Sequence, residues 1–150
     1  LSAVTVPRIP WQGPSAIVPY RYGLHELEVL LVTNRTQRGW IVPSCRPKYR
    51  FAARVAVVEA AWRWAGAYGE VSADPVGSFT HDSDGRAFGV QLFAMDVIAL
   101  AHDWPQRNLR RRCWIPSREW IAMIRNEELQ SIAADFCTSY ETPYLTRAGT

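Results

Sequence analysis

A chain of 150 residues is long enough for one domain with a sizeable core. A composition that is 48% hydrophobic and 21% charged is typical of a globular protein and excludes a disordered or fibrous one. The formal net charge is +3, and the basic side chains are sixteen Arg and one Lys. Because the planar guanidinium group binds phosphate and carboxylate well, an anionic ligand is one interpretation, and arginine-rich codon usage is the other.

Membrane insertion and secretion are both disfavoured by the sequence. No apolar run approaches the roughly 20 residues that a helix needs to cross a bilayer. The first residues lack the basic and apolar regions of a signal peptide. The cysteines Cys45, Cys113 and Cys137 are odd in number and far apart, a pattern typical of a reducing compartment rather than of disulfides or a zinc site. We therefore expect a cytoplasmic protein.

The first half of the chain is predicted to form an irregular lead-in, three strands and a helix. Pro19 indicates an edge position or a bulge for the first strand, and Gly66 is predicted to end the helix. The helix is apolar on nearly every side, which predicts that it is buried. The lead-in is predicted at residues 1–14, the strands at 15–21, 27–33 and 40–43, basic loops at 34–39 and 44–50, and the helix at 51–65.

The second half is predicted to contain further strands and two helices. Ser117 and Asn126 are the predicted N-caps of the helices, and the tail from Thr142 is predicted to fray. The predicted strands are Val71, 76–80, 88–100 and 110–115, with a hairpin turn at 81–85, and the predicted helices are 118–124 and 127–139. The sequence therefore predicts an α+β class with a single domain over 15–140 and a tail over 141–150.

Three segments of the chain resemble motifs of the Nudix hydrolase superfamily, in particular a bacterial subgroup similar to diphosphoinositol polyphosphate phosphohydrolases. Residues 28–35 (EVLLVTNR) and 40–43 (WIVP) are similar to its E-V-L-L-V-T-S-R and W-V-I-P-K-G elements. Residues 61–66 (AWRWAG) fall on its R-E-A-W-E-E-A-G. Residues 103–105 (DWP) and 110–114 (RRRCW) resemble its D-W-P and R-x-R-x-W elements. The resemblance spans residues 15–125 and implies the Nudix fold, an α/β sandwich with a mixed sheet between helices, in a bacterial protein.

The Nudix box itself is degenerate in this chain. The family pattern is G, five residues, E, seven residues, then R-E-U-x-E-E-x-G-U, where U is bulky and aliphatic and the glutamates bind Mg²⁺. Aligned on Gly66, the signature positions fall on Cys45, Phe51, Glu59, Ala60, Arg63, Trp64 and Gly66. Only the last glycine is kept, so the resemblance assigns no catalytic glutamate to this chain.

The helix residues argue against a metal site without reference to the family. Hydrolysis of a diphosphate needs a divalent cation, and Mg²⁺ prefers oxygen ligands that would recur three or four residues apart on a helix. Residues 51–65 hold one carboxylate, Glu59, and Arg63 is predicted to form a surface ion pair with it. Trp64 is predicted to fill part of the cleft that the family uses for metal. We therefore expect no metal cofactor.

Basic side chains in the loops are the remaining candidates for a ligand site. If these loops converge near the polyphosphate pocket that the resemblance implies, the guanidinium groups could bind phosphate oxygens. A solvated basic face is the alternative interpretation, and the sequence leaves both open. Within the predicted strand, Arg110 and Arg112 point to one face and Arg111 to the other. The candidate phosphate-binding residues are Arg35, Arg38, Arg46, Lys48, Arg50, Arg110 and Arg112.

Three functional hypotheses remain. The first, favoured by the single acid in the helix, is a Nudix-like protein that has lost metal-dependent hydrolysis and at most binds a phosphorylated small molecule through arginines. The second is an active hydrolase of nucleoside-diphosphate-linked or diphosphoinositol-type substrates, whose Mg²⁺ or Mn²⁺ ligands come from carboxylates outside the helix. The third is an interaction module, such as a homodimer. Nucleic acid is not an expected partner, because no recognition helix or stacking signature stands out.

Overall fold

The computed structural model of the chain describes residues 13–46 and 52–148, except for the side chains of residues 83 and 142–148. Most of the predicted lead-in over 1–14 lies outside these residues. In chain order the elements are β1 (Ser15–Tyr22), β2 (Leu27–Thr33), β3 (Trp40–Ile41), β4 (Ser44–Cys45), α1 (Ala53–Ala65), β5 (Ala67–Val71), β6 (Gly77–Ser83), β7 (Arg86–Leu100), β8 (Arg112–Pro116), α2 (Ser117–Met123) and α3 (Glu127–Ala148).

The strands form one mixed sheet with a split between β1 and β2. β7 is parallel to β1 on one edge and antiparallel to β5 and β6 on the other. β1 and β2 pair only next to their hairpin, and farther from it β4 pairs with the start of β1 and β3 with the end of β2. Because β7 and β8 occupy the outer edges of β1 and β2, the β3–β4 segment lies between these diverging strands.

Pro19 lies inside the sheet, so the predicted edge position of its strand is wrong. Pro19 is opposite Met95 of β7, and β1 has neighbours along both edges. The Ile17 N–H donates to the Pro43 carbonyl at 2.9 Å, and alternate residues of a strand direct their N–H groups to the same edge. The position without an N–H at Pro19 therefore faces the split between β4 and β2, where the sheet loses no hydrogen bond.

Helices cover both faces of the sheet, which confirms the predicted α/β sandwich. One face packs against α2 and α3, with Leu92 of the sheet and Trp120 and Phe136 of the helices in the same buried cluster. The other face packs against α1, where Phe93 of the sheet meets Val57. Each helix layer thus removes one apolar side of the sheet from water, the main stabilising contribution to such a fold.

The prediction that α1 is buried all round is wrong. The side chains of Val55 and Val58 are 56% and 45% exposed. Because α1 is an outer layer, only one of its faces can contact the sheet, and that face consists mostly of alanines. The buried residues of the helix are Ala53, Ala56, Val57, Ala60, Ala61 and Ala65.

The structure confirms one of the two predicted N-caps, Asn126, and not the other, Ser117. Asn126 caps α3, because its Oδ1 accepts the Leu129 N–H at 3.0 Å. Ser117 is already the first residue of α2, and its buried hydroxyl donates to the Glu141 carboxylate at 2.8 Å. The assigned helix α3 continues to Ala148, beyond the predicted helix end at residue 139. The Ser117–Glu141 hydrogen bond and the ring of Tyr140, 5.0 Å from that of Tyr20, hold the helix beyond its predicted end.

Several strand boundaries also differ from the predicted ones. β4 lies inside the predicted loop 44–50, because Ser44 and Cys45 pair with the start of β1. β5 starts at Ala67, four residues before the predicted Val71, and β8 starts at Arg112 rather than at residue 110. The predicted hairpin turn is confirmed and is tighter than predicted, with positive φ at Asp84 and Gly85.

Candidate functional site

The carboxyl end of α1 is the point at which several of the motif residues meet. Gly66 ends the helix, as predicted, with a left-handed φ of 63°. A Cβ at this position would lie 2.9 Å from the guanidinium of Arg112 and 3.0 Å from the Cβ of Trp104. Glycine therefore meets two requirements here, the left-handed backbone and the close approach of two side chains.

The last four carbonyls of α1 all accept hydrogen bonds from residues beyond the helix. Helix ends normally leave these acceptors to solvent or to capping groups. The pairs are Gly66 N–H to Trp62 O at 2.9 Å, Gln106 N–H to Arg63 O at 3.0 Å, Trp104 Nε1–H to Trp64 O at 2.9 Å, and Arg112 Nη1–H to Ala65 O at 2.8 Å. The segment 101–112 is thereby fastened to the end of α1.

Arg112 bridges α1 and the segment that follows β7. Its second guanidinium nitrogen, Nη2, donates to the Ala101 carbonyl at 2.7 Å, and its Cζ lies 4.0 Å from the centre of the Trp104 ring. Burial, and to a smaller extent the charge of Arg107, lower the pKa of Arg112. An arginine starts so far above neutral pH that it stays charged, and the carbonyls and indole partly replace its lost hydration.

Arg110 forms a similar bridge on the other side of the same helix end. Arg110 is 5% exposed, and its guanidinium lies 3.7 Å above the ring of Trp64. Nη1 donates to the Thr33 carbonyl at 2.9 Å, and Nε donates to the side-chain oxygen of Gln106. Burial and the nearby charge of Arg35 lower the pKa of Arg110. Arg110 therefore links the end of β2 to α1.

The loop between β2 and β3 presents two of the predicted phosphate-binding residues to solvent. The side-chain oxygen of Asn34 accepts the Arg38 N–H at 3.1 Å and the Thr36 hydroxyl at 2.8 Å, which holds the loop in a tight turn. Arg35 and Arg38 are both exposed on this loop. The loop begins directly after Thr33, whose carbonyl accepts the Arg110 Nη1–H at 2.9 Å, so the start of the loop lies close to the end of α1.

The predicted phosphate-binding residues thus fall into separate groups. Arg35, Arg38 and Arg46 are exposed, whereas the guanidinium groups of Arg110 and Arg112 have backbone carbonyls as partners. Arg46 follows β4, and no described contact joins it to the other arginines. Lys48 and Arg50 lie outside the described residues, as does Phe51, one of the positions that the motif resemblance aligns with the Nudix box.

The remaining box positions do not fit a divalent cation. Ala60 is 4% exposed and carries no ligand atom, and Trp64 lies under the Arg110 guanidinium. Glu59 and Arg63 form the predicted ion pair, with 3.8 Å between Oε1 and Nη1. The Cys45 thiol donates to the Ser15 carbonyl at 3.6 Å. Within residues 13–46 and 52–148 no three His, Cys, Asp or Glu side chains lie together as a metal-binding group.

Sequence reasoning missed an apolar groove between α1 and β5. The groove has a volume of about 600 Å³ and is lined by Val55, Val58 and Trp62 of α1 and by Tyr68, Gly69 and Ile98 of the sheet, among others. Its signal was present in the sequence, since Val55, Val58 and Trp62 follow the i, i+3, i+7 spacing of a second apolar face on α1. The prediction that the helix is buried on nearly every side does not distinguish this second apolar face from the face that packs on the sheet.

Solved structures with a similar fold are Nudix proteins. An Ap4A hydrolase from C. elegans superposes with a TM-score of 0.69 over 85% of this chain and 97% of its own, at 15% identity. A Nudix hydrolase from Nitrosomonas europaea gives a TM-score of 0.63 over 85% and 90%, at 14% identity. The Nudix domain of Shewanella oneidensis NrtR, solved with ADP ribose, gives 0.62 over 85% and 88%, at 16% identity.

No family profile and no curated protein matches the chain. No helix in the part of the chain that the structure describes is long and apolar enough to span a membrane.

The mixed sheet between helices, the helix that ends at Gly66 and the superpositions over most of each chain agree on one architecture. The chain has the Nudix hydrolase fold.

Proposed function

We propose that this chain is a Nudix-fold protein that no longer hydrolyses pyrophosphate bonds with a metal ion and that binds a phosphorylated small molecule through arginines. The observation that carries the proposal is the stacked pair at the end of α1, where the Arg110 guanidinium lies 3.7 Å above Trp64. The family pattern has a glutamate at the Trp64 position. A fixed positive charge beside an indole disfavours a divalent cation and favours an anion.

The other residues of α1 support the loss of metal chemistry. Arg63 stands at the neighbouring glutamate position with 54% of its side chain exposed, and its partner is Glu59, the helix's one carboxylate. Bound metal must neutralise the charge that develops during pyrophosphate hydrolysis, and this needs several oxygen ligands. One carboxylate already paired with an arginine supplies neither the charge nor the ligand number.

The ligand contacts in this proposal come from exposed arginines, with the buried pair as their support. Arg35 and Arg38 can both reach an anion in front of their loop, and Arg46 adds a third exposed guanidinium if its segment lies near. Arg110 and Arg112 hold the end of β2 and the segment 101–112 in place, and their positive charges favour the anion without direct contact. Lys48 and Arg50 belong to the same proposal.

Two structural neighbours suggest the ligand class to be tested. The NrtR domain was solved in a complex with ADP ribose, and the neighbour from C. elegans is an Ap4A hydrolase. Both molecules carry adenosine on a phosphate chain, which links it to a ribose in ADP ribose and to a second adenosine in Ap4A. We propose a nucleoside-diphosphate-linked compound as the ligand, with the cytoplasm of a bacterium as the setting, which the three free thiols and the motif resemblance support.

The test combines thermal stability with turnover. Addition of ADP ribose or Ap4A is expected to raise the melting temperature, because a ligand that binds only the folded state stabilises it. With Mg²⁺ or Mn²⁺ present, we expect no hydrolysis of either compound. The double variant Arg35→Ala/Arg38→Ala should lose the increase in melting temperature.

A matched control is the double variant Arg86→Ala/Arg125→Ala, which removes the same charge from exposed positions elsewhere. This variant should keep the increase in melting temperature. Metal-dependent turnover that persists through purification would overturn the loss of hydrolysis and support the active-enzyme alternative. Equal loss of stabilisation in both double variants, or no stabilisation by either compound, would overturn the proposed arginine site.

A further inference from the structure

Three side chains with oxygen atoms form a row across the strands β1, β7 and β5. Asp96 of β7 is paired with Tyr20 of β1 on one side and with Glu70 of β5 on the other. Paired residues of neighbouring strands point to the same face of a sheet and lie about 5 Å apart. Tyr20 belongs to the buried cluster that the sheet shares with α2 and α3, so the row lies on that face and not on the face of α1.

The two carboxylates of this row have no partner in the part of the chain that the structure describes. Asp96 and Glu70 are both exposed, and neither carboxylate has a hydrogen bond or an ion pair with another described residue. Arg54, which lies near the same end of β5, donates instead to the carbonyls of Val71 and Ser72 at 2.9 and 3.1 Å. Like charges directly opposite each other destabilise a pair of strands, so the fold carries a repulsion here that a bound cation would remove.

The hydroxyl group of Tyr20 is the second observation that points to a ligand. Tyr20 is 9% exposed, and its hydroxyl has no hydrogen bond with a described residue. Since no fully enclosed polar side-chain atom of the described residues lacks a partner, this oxygen still reaches solvent. Burial raises the pKa of Tyr20, and the negative charges of Asp96 and Glu70 raise it further, so the hydroxyl keeps its proton. A neutral, unpaired oxygen therefore lies beside two charged ones.

The ring of Tyr20 is held in place by other aromatic rings. The centre of the Tyr20 ring is 5.0 Å from that of Tyr140 and 5.6 Å from that of Phe136, both in edge-to-face arrangements. The Tyr22 hydroxyl donates to the Tyr140 carbonyl at 3.0 Å, which fixes the end of α3 against β1. Side chains that are already ordered lose little conformational entropy when a ligand binds.

We propose that Glu70, Asp96 and Tyr20 form a Ca²⁺ site on the α2–α3 face of the sheet. The carboxylates bind the ion, and the Tyr20 hydroxyl binds the ion or one of its water molecules. All donors are oxygen atoms, which hard divalent cations prefer. Ca²⁺ fits better than Mg²⁺, because Ca²⁺ accepts about six to eight oxygen atoms in irregular arrangements, and water can fill the open side of this exposed row. The site goes beyond the proposed function and does not depend on it.

Thermal denaturation of the full chain in calcium chloride and in EDTA, at equal ionic strength, tests this proposal. The wild type should melt at a higher temperature with Ca²⁺, because the ion binds only the folded state. The double variant Glu70→Gln/Asp96→Asn should show no such increase. In titration calorimetry each single variant should bind Ca²⁺ at least about tenfold more weakly. In EDTA the double variant should be at least as stable as the wild type, since the repulsion between the carboxylates is gone.

A matched control is Asp82→Asn/Asp84→Asn, which removes the same charge from the exposed hairpin between β6 and β7 and should keep the increase. Tyr20→Phe preserves the ring packing and should weaken Ca²⁺ binding with an unchanged circular dichroism spectrum. Three results would overturn the proposal. These are a wild type that Ca²⁺ does not stabilise, equal stabilisation of both double variants, and a Glu70→Gln/Asp96→Asn variant that is less stable than the wild type in EDTA. The last would mean that the carboxylates already have a partner within the chain.

Discussion

At the scale of single residues, Arg110 and Arg112 connect two different parts of the sheet region to the end of α1. Both residues contact the carboxyl end of α1, although β8 begins only at Arg112. Each has a tryptophan ring 3.7 or 4.0 Å from its Cζ and a backbone carbonyl as hydrogen-bond partner. The carbonyl at the end of α1 carries partial negative charge, which adds to the attraction for Arg112.

We predict that Arg112→Lys destabilises the fold by about 1–3 kcal/mol. A lysine ammonium can reach one of the carbonyls of Ala65 and Ala101 but lacks the planar fork that serves both and stacks on Trp104. Urea denaturation measures the effect. Arg111→Lys, at the exposed neighbouring position, should change stability by less than about 0.5 kcal/mol, and equal effects of the two changes would contradict the bridging role.

A second prediction concerns the buried thiol of Cys137. Burial raises its pKa from 9.0 to about 11, while a hydrogen bond with Ser117 opposes this and the charge of Glu141 adds to it. The unfolded thiol ionises near its ordinary value. The neutral folded thiol therefore contributes stability that is fully present below pH 9 and is lost as the pH rises toward about 11.

The measurement is the free energy of unfolding at pH 8 and pH 10.5 for the wild type and for Cys137→Ala. We expect the wild type to lose more stability between these pH values than the variant. Tyr20 and Tyr140, whose pKa values burial also raises, are present in both proteins and cancel in the comparison. A variant with the same pH dependence as the wild type would refute the assignment to Cys137.

At the scale of elements, the pairing of β5 with β7 depends on a glycine. The register shifts between Tyr68 and Gly69, so β7 has one extra residue at this point. A Cβ at Gly69 would lie 2.0 Å from the Asp96 carbonyl oxygen, which is far inside contact distance. The bulge also lies at the groove, where it helps to expose Ile98.

We predict that Gly69→Ala lowers stability by about 3 kcal/mol, because backbone atoms of two strands must separate to admit the methyl group. Gly89→Ala is the matched control in the same sheet, since a Cβ there would meet no atom within 4 Å. That change should stay within about 0.5 kcal/mol of wild type. Thermal denaturation measures both variants, and equal melting temperatures for the two would contradict the close approach at Gly69.

How far the sequence predicts these elements depends on the range of the forces that shape them. The apolar run of β2, the left-handed Gly66 and the Asn126 cap follow local rules and are found where they are predicted. The central position of Pro19 depends on which strands flank β1, which no local pattern contains. Likewise, the sequence indicated Arg110 and Arg112 as candidate phosphate-binding residues, but their carbonyl partners depend on three-dimensional packing.

At the scale of the whole molecule, the proposed ligand site depends on charge, because exposed arginines near the end of α1 would bind the anion. Charge interactions between exposed groups are screened by salt over about 10 Å at 0.1 M and about 3 Å at 1 M.

We therefore predict that added sodium chloride weakens binding of the ligand. The increase in melting temperature caused by ADP ribose should fall between about 0.1 M and about 1 M salt. Differential scanning fluorimetry measures this response, and an increase that salt leaves unchanged would mean that the ligand is not held by charge.

The hydrogen bonds at the carboxyl end of α1 have a consequence for how the chain folds during synthesis. Trp104 and Arg112 lie 40 and 47 residues after the carbonyls that they serve. When α1 leaves the ribosome, the donors for Trp64 and Ala65 have not yet been made. Until residue 112 emerges, the carbonyls of Trp64 and Ala65 must therefore be hydrated instead. Contacts over such separations slow folding, so the completion of this helix belongs to the late steps of assembly.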